Sequence, residues 1–158
     1  MRVVGIDIDS RKFGAVLLEN GKWAGDCFHL STSKNVDDRI TVLYDEVEKL
    51  LIRWAPDKVY IEEVIYIQSF NATKAIAEVV GNCKSICRIH KIAYETVPNK
   101  TWKKEIVGNG NCSKEDTKKF IEKLNPMFVG RKEDCYDAYG LCLLGTKRMS
   151  KEKNGKVE

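Results

Sequence analysis

The pattern of apolar and polar positions begins with strands and continues with an alternation of helices and strands. Three short apolar runs near the amino terminus are typical of strands, at 3–9, 13–19 and 22–30. Asn20-Gly21, between the last two runs, is a strong signal for a tight hairpin. From Val36 to the residue before Pro56, apolar residues recur with the 3.6-residue period of an amphipathic helix. The chain is therefore predicted to open with a three-stranded antiparallel meander followed by a helix.

The rest of the chain alternates between strand and helix patterns. Further strands are predicted at 58–64 and 92–97, and further helices at 69–90, 101–107, 114–124 and 134–149. Ser113, with Asp116 three residues later, is placed to cap the helix at 114–124. A strand that follows a helix commonly pairs in parallel with an earlier strand, so we expect 58–64 to lie beside 3–9. This order predicts an α/β fold with a five-stranded mixed sheet flanked by helices.

Length and composition suit one globular domain. The 158 residues are 43% hydrophobic and 32% charged, and no apolar run approaches the roughly 20 residues that span a bilayer. We expect a domain at 1–149 and a flexible, lysine-rich tail at 150–158. The amino terminus has the pattern of a strand rather than of a signal peptide. The six cysteines form no C-x-x-C pair, so free thiols in a reducing compartment, the cytoplasm, are expected.

Charge is distributed unevenly along the sequence. Residues 1–80 carry 10 basic and 13 acidic side chains, a net charge of −3, whereas residues 81–158 carry 17 and 10, a net charge of +7. A basic half favours a polyanionic partner such as nucleic acid.

Four acidic residues lie at strand ends or at a helix start, where functional sites are commonly built. Asp7 and Glu62 end apolar strands that are predicted to be neighbours, and the carboxyl ends of central strands commonly carry sites in such sheets. Asp134 and Asp137 are three residues apart at the start of the last helix and share one of its faces. Structural roles remain open for three of these acids: Asp134 as a helix cap, Asp7 in a strand-end turn, and Glu62 at a solvated edge.

A cluster of buried carboxylates is costly unless the charges are paired or bind metal. Oxygen ligands without histidine or cysteine suit Mg²⁺ or Mn²⁺ rather than zinc. Two such ions about 4 Å apart can activate water and stabilise the leaving oxygen of a phosphodiester. The four acids therefore favour a metal-dependent hydrolase.

Several motifs in this order resemble the RuvC family of Holliday junction resolvases, which has the ribonuclease H-like fold. The resemblance runs from about residue 2 to residue 148. It is carried by the following motifs: Gly5-Ile6-Asp7 with Ser10-Arg11, Pro56-Asp57 before Ile61-Glu62-Glu63-Val64, Val107-Gly108-Asn109-Gly110, and Asp134-Cys135-Tyr136-Asp137-Ala138.

The resemblance implies roles for individual residues. Asp7, Glu62, Asp134 and Asp137 match the family's catalytic acids and would hold two Mg²⁺ ions, with Mn²⁺ able to substitute. Lys103 and Lys114 match basic positions that contact DNA. Further candidate DNA contacts are Arg11, Lys104, Tyr66 and Phe70.

The sequence departs from the family pattern at two places. Ile8-Asp9 stands where the family usually has Pro-Gly, which brings a fifth acid near the site. Ile65 stands where a bacterial phenylalanine wedges into the junction, with Tyr66 and Phe70 beyond. These departures favour a divergent, phage-encoded member of the family. The sequence does not identify its cleavage preference, its helicase partner or its host.

The expected function is symmetric nicking of four-way DNA junctions by a cytoplasmic, Mg²⁺-dependent endodeoxyribonuclease. The alternatives are a broader branched-DNA or flap endonuclease and a junction-binding module with weak cleavage. Two symmetric cuts need two sites, so a homodimer is expected. The helix at 69–90 is its predicted interface, and Val80 is taken to lie on the outward edge of that helix. Small residues there would let two such helices approach closely: Ala72, Ala75, Ala77 and Gly81.

Overall fold

The computed structural model describes residues 1–9, 11–29, 35–63 and 70–155. Its strands are β1 (Arg2–Ile8), β2 (Lys12–Glu19), β3 (Lys22–His29), β4 (Lys58–Glu62) and β5 (Ala93–Val97). Its helices are α1 (Val36–Trp54), α2 (Phe70–Ile89), α3 (Asn99–Ile106), α4 (Lys114–Leu124) and α5 (Glu133–Asn154), with a 3₁₀ turn at Pro126–Phe128 that the sequence pattern did not predict.

The strands form one five-stranded sheet in the order β3-β2-β1-β4-β5. β2 pairs antiparallel with both β1 and β3, which is the predicted meander. β4 pairs in parallel with both β1 and β5. The mixed α/β architecture and the position of β4 beside β1 are confirmed.

Side-chain alternation along the strands gives each face of the sheet its own helices. Val4 and Ile6 of β1 pack on one face with residues of α1 and α2. Val3 lies on the other face with Leu141 and Leu144 of α5. Asp7 has the same parity as Val3, so this alternation turns its carboxylate towards α5.

Two glycines let α5 lie directly on the strands. A Cβ added at Gly5 would lie 2.0 Å from the carbonyl oxygen of Ala138, and one at Gly14 would lie 2.2 Å from that of Asp134. Any larger side chain would therefore push the start of α5 away from the sheet. Gly14 is also the register partner of Asp7, so this close approach brings the acids of α5 to the end of β1.

The end of α5 differs from the sequence prediction. The helix continues to Asn154, five residues beyond the predicted end at 149. Arg148 makes ion pairs with Glu95 of β5 and Glu105 of α3, and Lys147 donates a hydrogen bond to the Glu105 carbonyl at 2.8 Å. These long-range contacts fix the helix to β5 and α3 just before its polar extension, and no local sequence pattern predicts them.

The interface assignment of two residues on α2 is wrong. Val80 is only 5% exposed and packs in the core formed with α1, and Ala75 is 9% exposed, so neither lies on the outward surface. The solvent-facing side of α2 instead carries Ala77, Gly81 and Ser85, which follow one another at intervals of four residues.

All six cysteines are buried free thiols, as expected. The predicted capping box is also confirmed, since the Ser113 side chain accepts from the Asp116 backbone and the Asp116 carboxylate accepts from Ser113. In the described part of the chain, no helix is both long and apolar enough to cross a bilayer.

Candidate active site

Asp7 and Glu62 end neighbouring parallel strands. They directly follow Ile6 and Ile61, which are register partners in β1 and β4. Their parity within the strands places both on the α5 face of the sheet. The predicted meeting of these two acids at the carboxyl edge is therefore consistent with the observed register.

Asp134 and Asp137 lie in the first turn and a half of α5, where the helix crosses that edge. Each is 7% exposed. Lys132 is the cap residue of α5, and Asp134 is the second residue inside the helix, so it does not serve as the cap. Because Asp134 stacks over Gly14, the helix start is held against β2 and beside β1.

The raised pKa values of Asp7 and Asp137 indicate that the charges of the four acids act on one another. Burial raises the pKa of Asp7 well above its ordinary value, and the charges of Glu62, Asp137 and Asp134 raise it further. Burial and then the charge of Glu62 raise the pKa of Asp137 to about 7. Since like charges raise each other's pKa, a cation at this place would relieve the repulsion.

Glu62 is held by two neutral donors from α3. The side-chain amide nitrogen of Asn99 lies 3.1 Å from Oε1 and 3.0 Å from Oε2, and Trp102 Nε1 lies 3.0 Å from Oε2. Trp102 falls within the helix predicted at 101–107, but no local sequence pattern predicts this contact, which depends on how α3 returns over β4.

Asp134 has different partners, on β2 and β3. Lys12 Nζ lies 2.8 Å from its Oδ2 and Cys27 donates from Sγ to the same oxygen at 3.2 Å. Burial, and then this hydrogen bond, raise the pKa of Cys27 to about 12, so the group remains a thiol. The Asp134 carboxylate is thus directed towards β2 and β3. No local sequence pattern predicts either partner.

The donor set suits a hard divalent cation, because the four acids offer only oxygen ligands. Within the described ranges, no three carboxylate, imidazole or thiol groups already converge closely enough to hold a metal ion. The hydrogen bonds of Asp134 to Lys12 and Cys27 account for part of this spread. The fit is therefore one of chemistry and electrostatics, and coordination by all four acids would require their side chains to reorient.

The basic residues predicted to contact DNA have different environments. Lys103 is 6% exposed, and its Nζ lies 5.6 Å from the centre of the Trp102 ring. Its charge lowers the pKa of Asp137, so it faces the acid cluster. Lys114 is mostly exposed and pairs with Glu133 at 2.9 Å. Its charge lowers the pKa of both Asp7 and Asp137.

The other candidate DNA contacts are more dispersed. Arg11 and Lys104 are exposed, and Phe70 at the start of α2 is 74% exposed. Tyr66 lies outside the described residues, as does the segment 64–69 that contains it.

An open cavity of about 230 Å³ adjoins Asp137. It is lined by Lys114, Glu115, Lys118, Arg131, Glu133, Tyr136 and Asp137. Lys118 and Arg131 were not predicted as site residues. The spacing of Lys118 four residues after Lys114 could have indicated a shared helix face, whereas the position of Arg131 depends on the loop before α5.

A family model supplies the deciding comparison: the model for crossover junction endodeoxyribonuclease RuvC matches residues 3–143. The chain belongs to the RuvC family. The match contains all four acids and both predicted DNA-contacting lysines. The RuvC crossover junction endodeoxyribonuclease of Fusobacterium nucleatum is 25% identical over 149 residues, which are 90% of this chain and 78% of that protein.

Solved RuvC structures share the fold. Thermus thermophilus RuvC superimposes with a TM-score of 0.78 at 18% identity, covering 95% of this chain and 97% of that one. T. thermophilus RuvC in complex with a Holliday junction substrate gives a TM-score of 0.77 at 16% identity, covering 90% of both chains. The ribonuclease H-like fold that the RuvC resemblance implied is thus confirmed.

Proposed function

We propose that this protein is a crossover junction endodeoxyribonuclease that nicks four-way DNA junctions symmetrically by metal-dependent phosphodiester hydrolysis. The observation that carries the proposal is the assembly of four acids within the RuvC-matched region. Asp7 and Glu62 end adjacent parallel strands. Asp134 and Asp137 begin the helix that lies over the same strands.

We further propose that these four acids hold two Mg²⁺ ions and that Mn²⁺ can substitute. The oxygen-only donor set and the raised pKa values of Asp7 and Asp137 support this proposal. Bound ions would supply an activated water and stabilise charge on the leaving oxygen. Asp7 would be the central ligand of this set, because the other three acids all act on its pKa.

The chain's own residues prepare this site for an anionic substrate. Lys103 and Lys114 lower the pKa of Asp137 and so favour its ionised, ligand-competent form. Lys114, together with Lys118 and Arg131 around the adjoining cavity, can bind a backbone phosphate beside Asp137. A phosphate near Lys12 would offer its ammonium another partner and release Asp134 towards the other acids.

We infer that the active form is a homodimer with two-fold symmetry. A four-way junction has two equivalent strands to cut, and one chain offers one set of four acids. The outward side of α2 supports close helix contact, because Ala77, Gly81 and Ser85 are small and exposed there. A Cβ added at Gly81 would meet no atom within 4 Å, so this surface is open to a second copy.

The proposed place of action is the bacterial cytoplasm. The Fusobacterium nucleatum relative is a bacterial protein. The proposed substrate is DNA, which bacteria keep in that compartment.

One comparative assay tests the proposed function. End-labelled four-way junction, flap, fork and linear duplex DNA are incubated with the protein in Mg²⁺ and, separately, in EDTA. We expect paired nicks of opposite strands in the four-way junction, no cutting of duplex and no cutting in EDTA. Equal cutting of flaps and forks would favour the broader nuclease, and tight binding without cutting would favour a binding module. Either result would overturn the proposal.

A further inference from the structure

The carboxylate of Glu62 is fixed at both oxygens by the start of α3. Asn99 reaches Oε1 at 3.1 Å and Oε2 at 3.0 Å through one amide nitrogen, and Trp102 Nε1 reaches Oε2 at 3.0 Å. A carboxylate accepts hydrogen bonds and an indole nitrogen only donates. The contacts therefore define both the position and the plane of the Glu62 carboxylate.

The indole that makes one of these contacts is itself held rigidly. Trp102 is fully buried. A Cβ added at Gly140 would lie 2.4 Å from its Cζ3 and 2.9 Å from its Cε3, so the ring occupies the space that a side chain at Gly140 would need. Gly140 is three residues after Asp137 on α5. Helix α5 thus sets the place of Asp137 directly and that of Glu62 through Trp102.

Both donors to Glu62 are neutral, which distinguishes this acid from Asp134. Asp134 is paired with the ammonium of Lys12 at 2.8 Å, which cancels much of its charge. Hydrogen bonds from an amide and an indole orient a carboxylate while leaving its full negative charge for a cation. About four lone-pair sites are available on a carboxylate, so Glu62 retains capacity for a further ligand.

We propose that Asn99 and Trp102 are positioning residues that hold Glu62 in its metal-ligating orientation. This inference rests on the proposed function, because it assigns Glu62 to a divalent-ion site. Outer hydrogen-bond partners of metal ligands commonly govern affinity, and their loss weakens it by about 10- to 100-fold. Asn99 and Trp102 act through Glu62 and contact no substrate.

Two single variants test the inference. Their affinity for Mn²⁺ is measured by isothermal titration calorimetry on DNA-free protein. Trp102→Phe removes the indole N–H and keeps an aromatic ring against Gly140. Asn99→Ala removes the amide. We expect each to weaken Mn²⁺ binding by about tenfold and to raise the Mg²⁺ concentration for half-maximal cleavage by a similar factor. Saturating Mg²⁺ should restore most of the cleavage rate, and junction affinity in EDTA should change less than about twofold, since no phosphate contact is lost.

Trp54→Phe is the matched control. Trp54 is a 9% exposed core residue of α1 on the opposite face of the sheet. It undergoes the same truncation without any contact to Glu62, so its Mn²⁺ affinity should equal that of the wild type. If Trp54→Phe weakens Mn²⁺ binding as much as Trp102→Phe does, the effect is a general loss of packing and the positioning role is wrong.

The outcomes separate this inference from the function beneath it. A wild-type protein that neither binds Mn²⁺ nor cuts junctions overturns the proposed function itself. A wild type that does both, with Asn99→Ala and Trp102→Phe unchanged in Mn²⁺ affinity, overturns the positioning role alone. Asn99 is only partly buried, so Asn99→Ala keeps the test decisive if Trp102→Phe fails to fold.

Discussion

At the residue scale, the main feature of the site is a group of acidic side chains that are largely buried and repel one another. The largest cause of the raised pKa of Asp7 is burial, and three neighbouring carboxylates add to it. Lys114 acts in the opposite direction. Such a set is stable only if protons or cations offset the charge.

Replacing Asp7 by Asn should abolish cleavage while keeping DNA binding. The change removes one anionic oxygen from the centre of the acid set but no contact to phosphate. Junction affinity, measured by gel shift in EDTA, should stay the same or rise, because an acid beside phosphates repels them. A variant that cuts junctions at the wild-type rate in Mg²⁺ would contradict the site assignment. The variant and the wild type are purified in the same way, so that a contaminating nuclease would be present in both preparations.

Metal-free protein should lose stability as the pH rises from about 4 to about 7. Asp137 has a pKa of about 7 in the folded protein against an ordinary 3.8, so the folded state binds its proton more tightly than the unfolded chain does. The stability that comes from this proton is fully present below pH 4 and is lost as the pH passes 7. The part of this loss that comes from Asp137 should reach at most about 4 kcal/mol in the free energy of unfolding. Asp7, whose pKa is also raised, adds to the loss in the same direction.

Urea unfolding in EDTA at pH 5 and pH 8 measures this dependence. Asp137→Asn is the control, because it lacks this titrating carboxyl and should reduce the difference between the two pH values, while Asp7 still contributes to it. Equal pH dependence in wild type and Asp137→Asn would show that other groups cause the loss. Mg²⁺ should stabilise the wild type more at pH 8 than at pH 5.

At the element scale, α4 presents one basic face to the site. Lys114 and Lys118 lie one turn apart and both line the cavity beside Asp137. Lys123 is nine residues after Lys114, which is half a revolution around the helix, so it lies on the opposite side. Helix α4 therefore contains both a test position and its control.

Junction binding should depend strongly on salt, and Lys114→Ala should make it less so. Each phosphate neutralised contributes a slope of about −0.9 in log affinity against log salt concentration. We expect Lys114→Ala to reduce the steepness by about that amount, whereas Lys123→Ala should leave it unchanged. Fluorescence anisotropy of a labelled junction from low to moderate salt gives the slopes.

Lys103→Ala provides a second comparison on α3. Lys103 is buried beside Asp137, so its loss should weaken cleavage with a smaller effect on the slope. A wild-type slope near zero would contradict electrostatic binding altogether.

At the scale of the whole molecule, the sheet is covered on both faces and α2 forms part of the outer surface. Its inner side packs against α1 through residues such as Val79 and Cys83. Its outer side carries the exposed small residues that the dimer proposal uses. The oligomeric state therefore depends on a surface that the fold leaves open and not on the core.

Gly81→Glu should convert a dimer into a monomer. A charged side chain at the centre of a close helix contact would be buried without a partner in the dimer. Light scattering at micromolar concentration should give twice 18.0 kDa for wild type and about 18.0 kDa for the variant. The variant should bind junctions weakly and fail to place paired nicks.

Ile52→Glu is the matched control for the dimer prediction. Ile52 is a 58% exposed apolar residue on α1, so the change adds the same charge to another helix surface. Its mass should remain that of the dimer. Full resolvase activity from a wild-type protein of 18.0 kDa would rule out the dimer.

Local patterns were enough for the elements of the fold because each pattern has its own physical period. The hairpin at Asn20-Gly21, the helix ending before Pro56 and the capping box at Ser113 all depend on residues close in sequence. The right pairing of β4 with β1 also followed, because crossover connections allow few topologies. Val80 was misplaced because periodicity gives the apolar side of a helix without showing how far the core extends around it.

The sequence by itself determined which acids end strands and begin the last helix, and so which residues are candidates for the site. Only the tertiary structure decided what each acid contacts. Glu62 receives neutral donors from Asn99 and Trp102, 37 and 40 residues away, and Asp134 pairs with Lys12 across the sheet. Such contacts depend on where each helix packs against the sheet. The space left by Gly5, Gly14 and Gly140 fixes that packing position. A glycine that allows a helix to pack closely against a strand or a ring leaves no periodic signal in a sequence.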